Sequence, residues 1–130
     1  GQLQLQAADP TRRVTFHDAC KLARHGGVID EPRAAMRALG MDFRETTPTA
    51  ELNWCCGGGA GAFLINRATP LRHKAWQLKK EQIDATGADV VVLSCASCRL
   101  NFMEGAEIDQ WPTQIESLVE LVAQQLPVNS

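Results

Sequence analysis

No run of about 18 apolar residues occurs anywhere in the sequence, so no segment is long enough to span a bilayer. Basic residues are not in excess either: 13 Lys and Arg stand against 15 Asp and Glu, for a net charge of −2. That balance projects no positive field toward nucleic acid or an anionic membrane surface. The opening residues, Gly1-Gln2-Leu3-Gln4-Leu5-Gln6, have neither a basic segment nor the apolar stretch of an export signal. Internal repeats, low-complexity stretches and a convincing acid–base or nucleophile–base constellation are also missing. Without an export signal the expected compartment is the reducing cytoplasm, where cysteines more often serve as ligands or redox groups than as structural disulfides.

What is present is an ordinary globular composition, 45% hydrophobic and 22% charged, in 130 residues. That length suits one domain with its own core. Residues 1–12 read as an irregular tail, and 13–126 as a single domain expected to belong to a longer protein. Val14-Thr15-Phe16 has the character of a short buried strand. A helix is predicted over residues 31–39, with Pro32 in its first turn and Gly40 as its stop. A second strand is predicted over 41–46, and the longest helix from Thr69 or Pro70 to 86, with Thr69 as its cap. Ala88-Asp89-Val90-Val91-Val92-Leu93 is the clearest strand, continuous and β-branched, as expected where both sheet faces are covered. A helix to about residue 104 should follow it. After Trp111-Pro112-Thr113, a last amphipathic helix is predicted with Ile115, Leu118, Val119 and Val122 on one face. This alternation predicts an α/β fold: a mainly parallel sheet with flanking helices in a Rossmann-like three-layer arrangement.

Five cysteines punctuate this pattern: Cys20, then 34 residues, Cys55-Cys56-Gly57, then 37 residues, and Cys95-x-x-Cys98. Five is odd, so complete internal disulfide pairing is impossible. Cys20 and Cys95 fall just past the C-terminal ends of predicted strands, the edge where open α/β sheets bind ligands. Cys55 and Cys56 lie in a loop able to reach the same edge, which argues for one shared site. A Cys-x-x-Cys at a helix start can direct both sulfurs at one ion or cluster, and the helix N-terminus favours their thiolates. Adjacent cysteines do not readily chelate one small tetrahedral ion, but they can hold or bridge different irons of a cluster. Structural zinc held by four of the five, and a dithiol or disulfide redox site, are the alternatives.

The motifs His17-Asp18-Ala19-Cys20-Lys21-Leu22-Ala23-Arg24, Cys55-Cys56-Gly57-Gly58-Gly59 and Thr86-Gly87-Ala88-Asp89 leading to Cys95-Ala96-Ser97-Cys98 resemble the cysteine-rich CCG domain family. That family is found in heterodisulfide reductase subunits and in iron–sulfur subunits of glycolate, lactate and glycerol-3-phosphate oxidising systems. The resemblance spans residues 14 to 124. It implies a 4Fe–4S cluster, in some members non-cubane, with Cys20, Cys55, Cys56, Cys95 and Cys98 as ligands and the Cys55-Cys56 pair as the source of a bridging thiolate. It further implies electron transfer within a multi-subunit oxidoreductase, partners of flavin or ferredoxin type, and a cytoplasmic site that is peripheral to the inner membrane through those partners. Disulfide reduction at the cluster is a rival role, but such subunits typically carry two CCG motifs and this chain has one. Family members often have Asp-Pro-Cys-His where this chain has Asp18-Ala19-Cys20-Lys21, so a role for histidine at position 21 does not transfer.

Other features have plainer readings. Gly57-Gly58-Gly59-Ala60-Gly61-Ala62 matches a dinucleotide fingerprint, yet no apolar strand precedes it and Gln77 stands where an acidic residue belongs. Those glycines more simply let backbone N–H groups approach sulfur. His17 and His25 flank Cys20; either would tune a cluster, but a structural bond for His17 and exposure for His25 are the favoured expectations. Lys21 and Arg24 either balance charge or are solvated. Trp54 is a candidate shield, while Trp76 and Trp111 are expected in the core.

Overall fold

The structure is a computed structural model, and it describes residues 4–6, 8–59 and 61–127. Four strands, β1 (Arg13–His17), β2 (Asp42–Phe43), β3 (Val90–Leu93) and β4 (Gln114–Ser117), form one sheet in the order β2-β1-β3-β4. Every pairing is parallel, so each connection must cross over one face, and helices occupy both. The helices are α1 (Asp30–Ala38), α2 (Thr69–Asp84), α3 (Ala96–Asp109) and α4 (Leu118–Gln124).

The strand period of two sorts the core into two halves. Val14, Phe16, Val90 and Val92 face one way, into a cluster with Met36 and Leu39 of α1 and Leu121 of α4. Val91 and Leu93 face the other way, into a cluster with Trp76 and Ile83 of α2 and Phe102 of α3. The result is the expected three-layer α/β arrangement. On the second face Trp76 meets Phe102 and Trp111 edge-on, each with ring centroids 5.0 Å apart. The two indole nitrogens donate to Asp109 and Asp84 at 2.8 and 2.7 Å, so neither buried N–H is left over. Gly105 permits this closeness, since a Cβ there would lie 2.5 Å from the Trp76 ring.

Several predicted bounds differ. The expected final helix is a strand followed by a helix: 114–117 pairs with β3, and only then does α4 begin. Ile115 packs from a strand, and Val119, expected on the buried face, is 72% exposed. The second strand shrinks to Asp42–Phe43, because it pairs with β1 at the sheet edge over only two residues. Helix α3 runs to Asp109, beyond the predicted end. Thr69 opens α2 without capping it; its hydroxyl accepts from Arg72 at 3.3 Å instead. Within residues 1–12, the described part has no helix or strand, but Leu5 and Ala8 pack against the first core cluster. No helix among the described residues is long and apolar enough to cross a membrane.

Candidate metal centre

The C-terminal ends of β1 and β3 bring the cysteine segments together. β1 ends at His17, and Cys20 follows at the start of one wide helical turn, Lys21–His25. β3 ends at Leu93, so Cys95 sits at the N-cap of α3 and Cys98 in its first turn. Cys55 and Cys56 arrive in a loop after a short helical turn, Ala50–Leu52. All five cysteines line one cavity of about 380 Å³, together with His17, Lys21, His25, Gly57 and Gly59. Cys56 and Cys98 form its buried floor, Cys20 and Cys95 are half-buried, and Cys55 stands at the open side. The Cys56 and Cys98 sulfurs are 3.2 Å apart, well beyond a disulfide bond of about 2.05 Å.

The glycines after the cysteine pair form a cradle. Gly57 N–H points at the Cys55 sulfur (3.3 Å), and Gly58 N–H at that of Cys56 (3.4 Å). Gly57 has φ +92°, the left-handed region that side chains rarely adopt. At Gly58 a Cβ would come within 2.6 Å of Asn101 Cβ, so only glycine lets this loop lie directly on α3. Asn101 then donates from Nδ2 to the Cys56 carbonyl at 2.6 Å, and buried Arg72 holds the Asn101 oxygen at 2.7 Å.

Electrostatics behind the cavity are unusual for a protein core. Lys79 of α2 is 0% exposed, its ammonium donating to Asn53 Oδ1 and, at 3.1 Å, to Gln82. Burial pushes its pKa down to about 8, against the attraction of Asp18, Cys56 and Cys98. His17 is also buried, and burial together with the Lys79 charge pushes it down to about 3, so the ring is neutral. Bonding to Cys56 and burial push the Cys55 thiol up. For Cys56, a bond from Cys55 acts downward, but contact with Cys98 and burial prevail and raise it to about 12. Cys55 and Cys56 therefore hold their protons more tightly than free thiols do, and a metal bound there would displace them.

This donor set fits a thiolate-bound metal group. Five sulfurs around one cavity, a glycine cradle aiming N–H groups at two of them, and a buried positive charge nearby are what sulfur ligation calls for. Ligand atoms of His17, Cys56 and Cys98 also lie within 4.8 Å of one another.

The remaining sequence expectations divide. Trp76 and Trp111 are core residues, while Trp54 is half-exposed and is not among the residues lining the cavity. Lys21 is exposed at the cavity edge; Arg24 instead donates to the carbonyls of Glu51 (2.9 Å) and Asn53 (2.6 Å), bracing the loop before Cys55. Among the described residues of 57–62, no helix opens beyond the three-residue turn Ala62–Leu64, unlike a dinucleotide loop. Sequence reasoning missed Asp18, Arg33, Asn53, Lys79, Arg72 and Asn101. A buried polar residue looks like a surface one until tertiary contacts are known, although Asn53 and Asp18 lie within two residues of a cysteine.

A parallel α/β sheet with five cysteines gathered at the C-terminal ends of its strands defines a cysteine-rich α/β domain built for metal. The cysteine-rich domain family CCG matches residues 14–103, and the chain belongs to that family. It is similar to a probable membrane-anchored ferredoxin of Chromohalobacter salexigens, with 34% identity over 95% of this chain and 18% of the relative. One subunit of the dihydromethanophenazine:CoB--CoM heterodisulfide reductase of Methanosarcina acetivorans is 35% identical over 88% of this chain and 28% of its own length. The probable iron-sulfur-binding oxidoreductase FadF of Bacillus subtilis is 31% identical over 85% of this chain and 16% of its own length. The chain thus spans less than a third of these relatives. No solved structure matches it.

Proposed function

We propose that this domain holds an iron–sulfur cluster on Cys20, Cys55, Cys56, Cys95 and Cys98 and relays electrons within a larger oxidoreductase. One observation carries the reading: every cysteine of the chain lines the same cavity, and none is left for another purpose. The names of the relatives, which include an iron-sulfur-binding oxidoreductase and a ferredoxin, point the same way. When bound, such a cluster supplies reversible electron uptake at a potential set by its surroundings. The chain's own residues do the rest. Cys56 and Cys98 anchor from the buried floor, Gly57 and Gly58 direct backbone N–H groups at sulfur, and Lys79 holds a positive charge behind it.

The finer assignment is a 4Fe–4S cluster, with the fifth thiol permitting a non-cubane form. Partners would be flavin- or ferredoxin-type subunits, in keeping with a relative named EtfAB:quinone oxidoreductase. The site would be cytoplasmic, and peripheral to the inner membrane through those subunits. Reduction of a disulfide, the activity in the name of the heterodisulfide reductase relatives, is the rival role; the 130 residues carry one Cys-Cys-Gly triplet, and a second one elsewhere in a longer protein would favour it.

Zinc is the second reading, favoured by the closeness of His17, Cys56 and Cys98. Anaerobic purification followed by iron, sulfide and zinc analysis decides between them. About four irons and four sulfides per chain, with visible absorption that bleaches on reduction, are expected. One zinc, no sulfide and a colourless protein would overturn the electron-transfer reading.

A further inference from the structure

The polar residues behind the cavity determine which nitrogen of a buried histidine carries its hydrogen. Asn53 Nδ2 donates to the Asp18 carbonyl at 2.7 Å, and a carbonyl can only accept. At the other end of the amide, Asn53 Oδ1 takes the Lys79 ammonium, which can only donate. The amide is therefore oriented from both sides. The same Nδ2 lies 3.4 Å from His17 Nδ1, and an amide nitrogen does not accept. His17 Nδ1 must be the bare, accepting nitrogen, and in a neutral ring the hydrogen is then on Nε2. That Nε2 is buried and has no partner among the described residues. Its ring is packed on Phe102, with centroids 5.0 Å apart, and lines the cysteine cavity. An orphaned buried donor is costly unless something absent from the protein chain accepts from it.

We propose that His17 presents Nε2–H as a hydrogen-bond donor to sulfur of the group held at Cys56 and Cys98, with Asn53 and Lys79 as the positioning residues that hold this tautomer. The sulfur acceptor rests on the iron–sulfur reading; the tautomer does not. A donor to cluster sulfur favours the more negative, reduced form and so raises the reduction potential. The same network opposes His17 as a zinc ligand through Nε2, because ligation needs the lone pair that the hydrogen occupies.

The test begins with the full chain, metal-free, thiol-reduced and labelled with nitrogen-15, observed through two-bond ring correlations and assigned by loss of the signal in His17→Phe. A neutral ring with hydrogen on Nε2 is expected; hydrogen on Nδ1, or a charged ring, overturns the proposal. In Asn53→Asp, whose carboxylate only accepts, the hydrogen should move to Nδ1; an unmoved tautomer overturns the positioning role. In the iron-loaded chain, His17→Phe should keep its iron and sulfide and show a lower midpoint potential. An unchanged potential, or a folded variant without iron, overturns the donor role. Should His17→Phe fail to fold, the potential of Asn53→Asp makes the same test. A parent chain that takes up no iron removes the cluster reading and its sulfur acceptor, while the tautomer stands or falls on its own spectrum.

Discussion

Both carboxylate oxygens of Asp18 are bound by Arg33: Nη1 reaches Oδ1 at 2.9 Å and Nη2 reaches Oδ2 at 2.8 Å. Arg33 belongs to α1, while Asp18 lies between β1 and Cys20. Asp18 Oδ2 also accepts from the Ala50 N–H at 2.9 Å, in the segment that leads to Cys55. One buried carboxylate therefore ties together α1 and the approaches to the first two cysteine groups.

Removing that charge should be severe. Asp18→Asn leaves a buried guanidinium with only Glu45 to balance it, and breaking a buried pair costs about 3 kcal/mol or more. Glu45→Ala removes a more exposed partner and should cost about 1 kcal/mol or less. Denaturant unfolding of the thiol-reduced chain measures both; equal losses would contradict the view that Asp18 is the dominant partner. Asp18→Asn should also bind less iron, because two ligand loops lose their common tether.

The glycine cradle makes a similarly local prediction. Gly58→Ala places a methyl 2.6 Å from Asn101 Cβ and 3.0 Å from the Ser97 carbonyl, which belong to the helix carrying Cys98. Overpacking of this kind costs about 1–3 kcal/mol. Gly59→Ala, where an added Cβ meets nothing within 4 Å, should change the metal-free stability by less than about 0.5 kcal/mol. Matched unfolding curves for the two variants would show that the loop does not rest on α3 as described.

Much of this architecture was legible in the sequence, because Val90-Val91-Val92-Leu93 reads only as a buried strand and glycine or proline brackets the helices. The cysteine spacing placed the site at the strand ends for the same reason. β4 was not legible. Gln114-Ile115-Glu116-Ser117 has a single apolar residue, and Ile115 falls in helical register with Leu118, Val119 and Val122. Pairing with β3, a tertiary event, makes it a strand. Lys79 was hidden beside Lys80 as an ordinary solvated pair, yet Lys79 is fully buried while Lys80 reaches Asp84 on the surface. Burial of a charge depends on what surrounds it, here Asn53 and Gln82, and no local pattern reports that.

Lys79 gives a pH dependence with a definite sign. Below pH 8 the folded and unfolded chains both carry the ammonium, and keeping it buried costs about 3 kcal/mol. Between about 8 and the ordinary 10.5, the unfolded chain binds a proton that the folded chain has released, so this group makes stability rise with pH. Cys56 acts oppositely: its folded value of about 12 lies above the ordinary 9.0, so its contribution is lost as pH rises. Comparison with Lys79→Met separates the two. Between pH 7 and 10 the stability difference should move about 2 kcal/mol in favour of the parent. A difference that stays constant with pH would mean that Lys79 is not desolvated.

Single serine replacements test how many of the five thiols serve one group. Cys56 and Cys98 lie on the buried floor, where serine leaves a polar hydroxyl against a weakened sulfur set, so both variants should lose nearly all iron and sulfide. Cys20 and Cys95 are half-buried at the ends of β1 and β3 and should also lose most of it. Cys55 decides the matter, because it is the exposed member of the adjacent pair and has the Gly57 N–H as its partner. A cubane cluster needs four cysteine thiolates, so a four-thiol site would leave Cys55→Ser with the parent's iron, sulfide and spectrum. A site that uses all five thiols would lose iron in this variant too, or keep it with an altered spectrum. The second result is expected here, since Cys55 lines the same cavity as the other four and its neighbouring glycine directs an N–H at its sulfur.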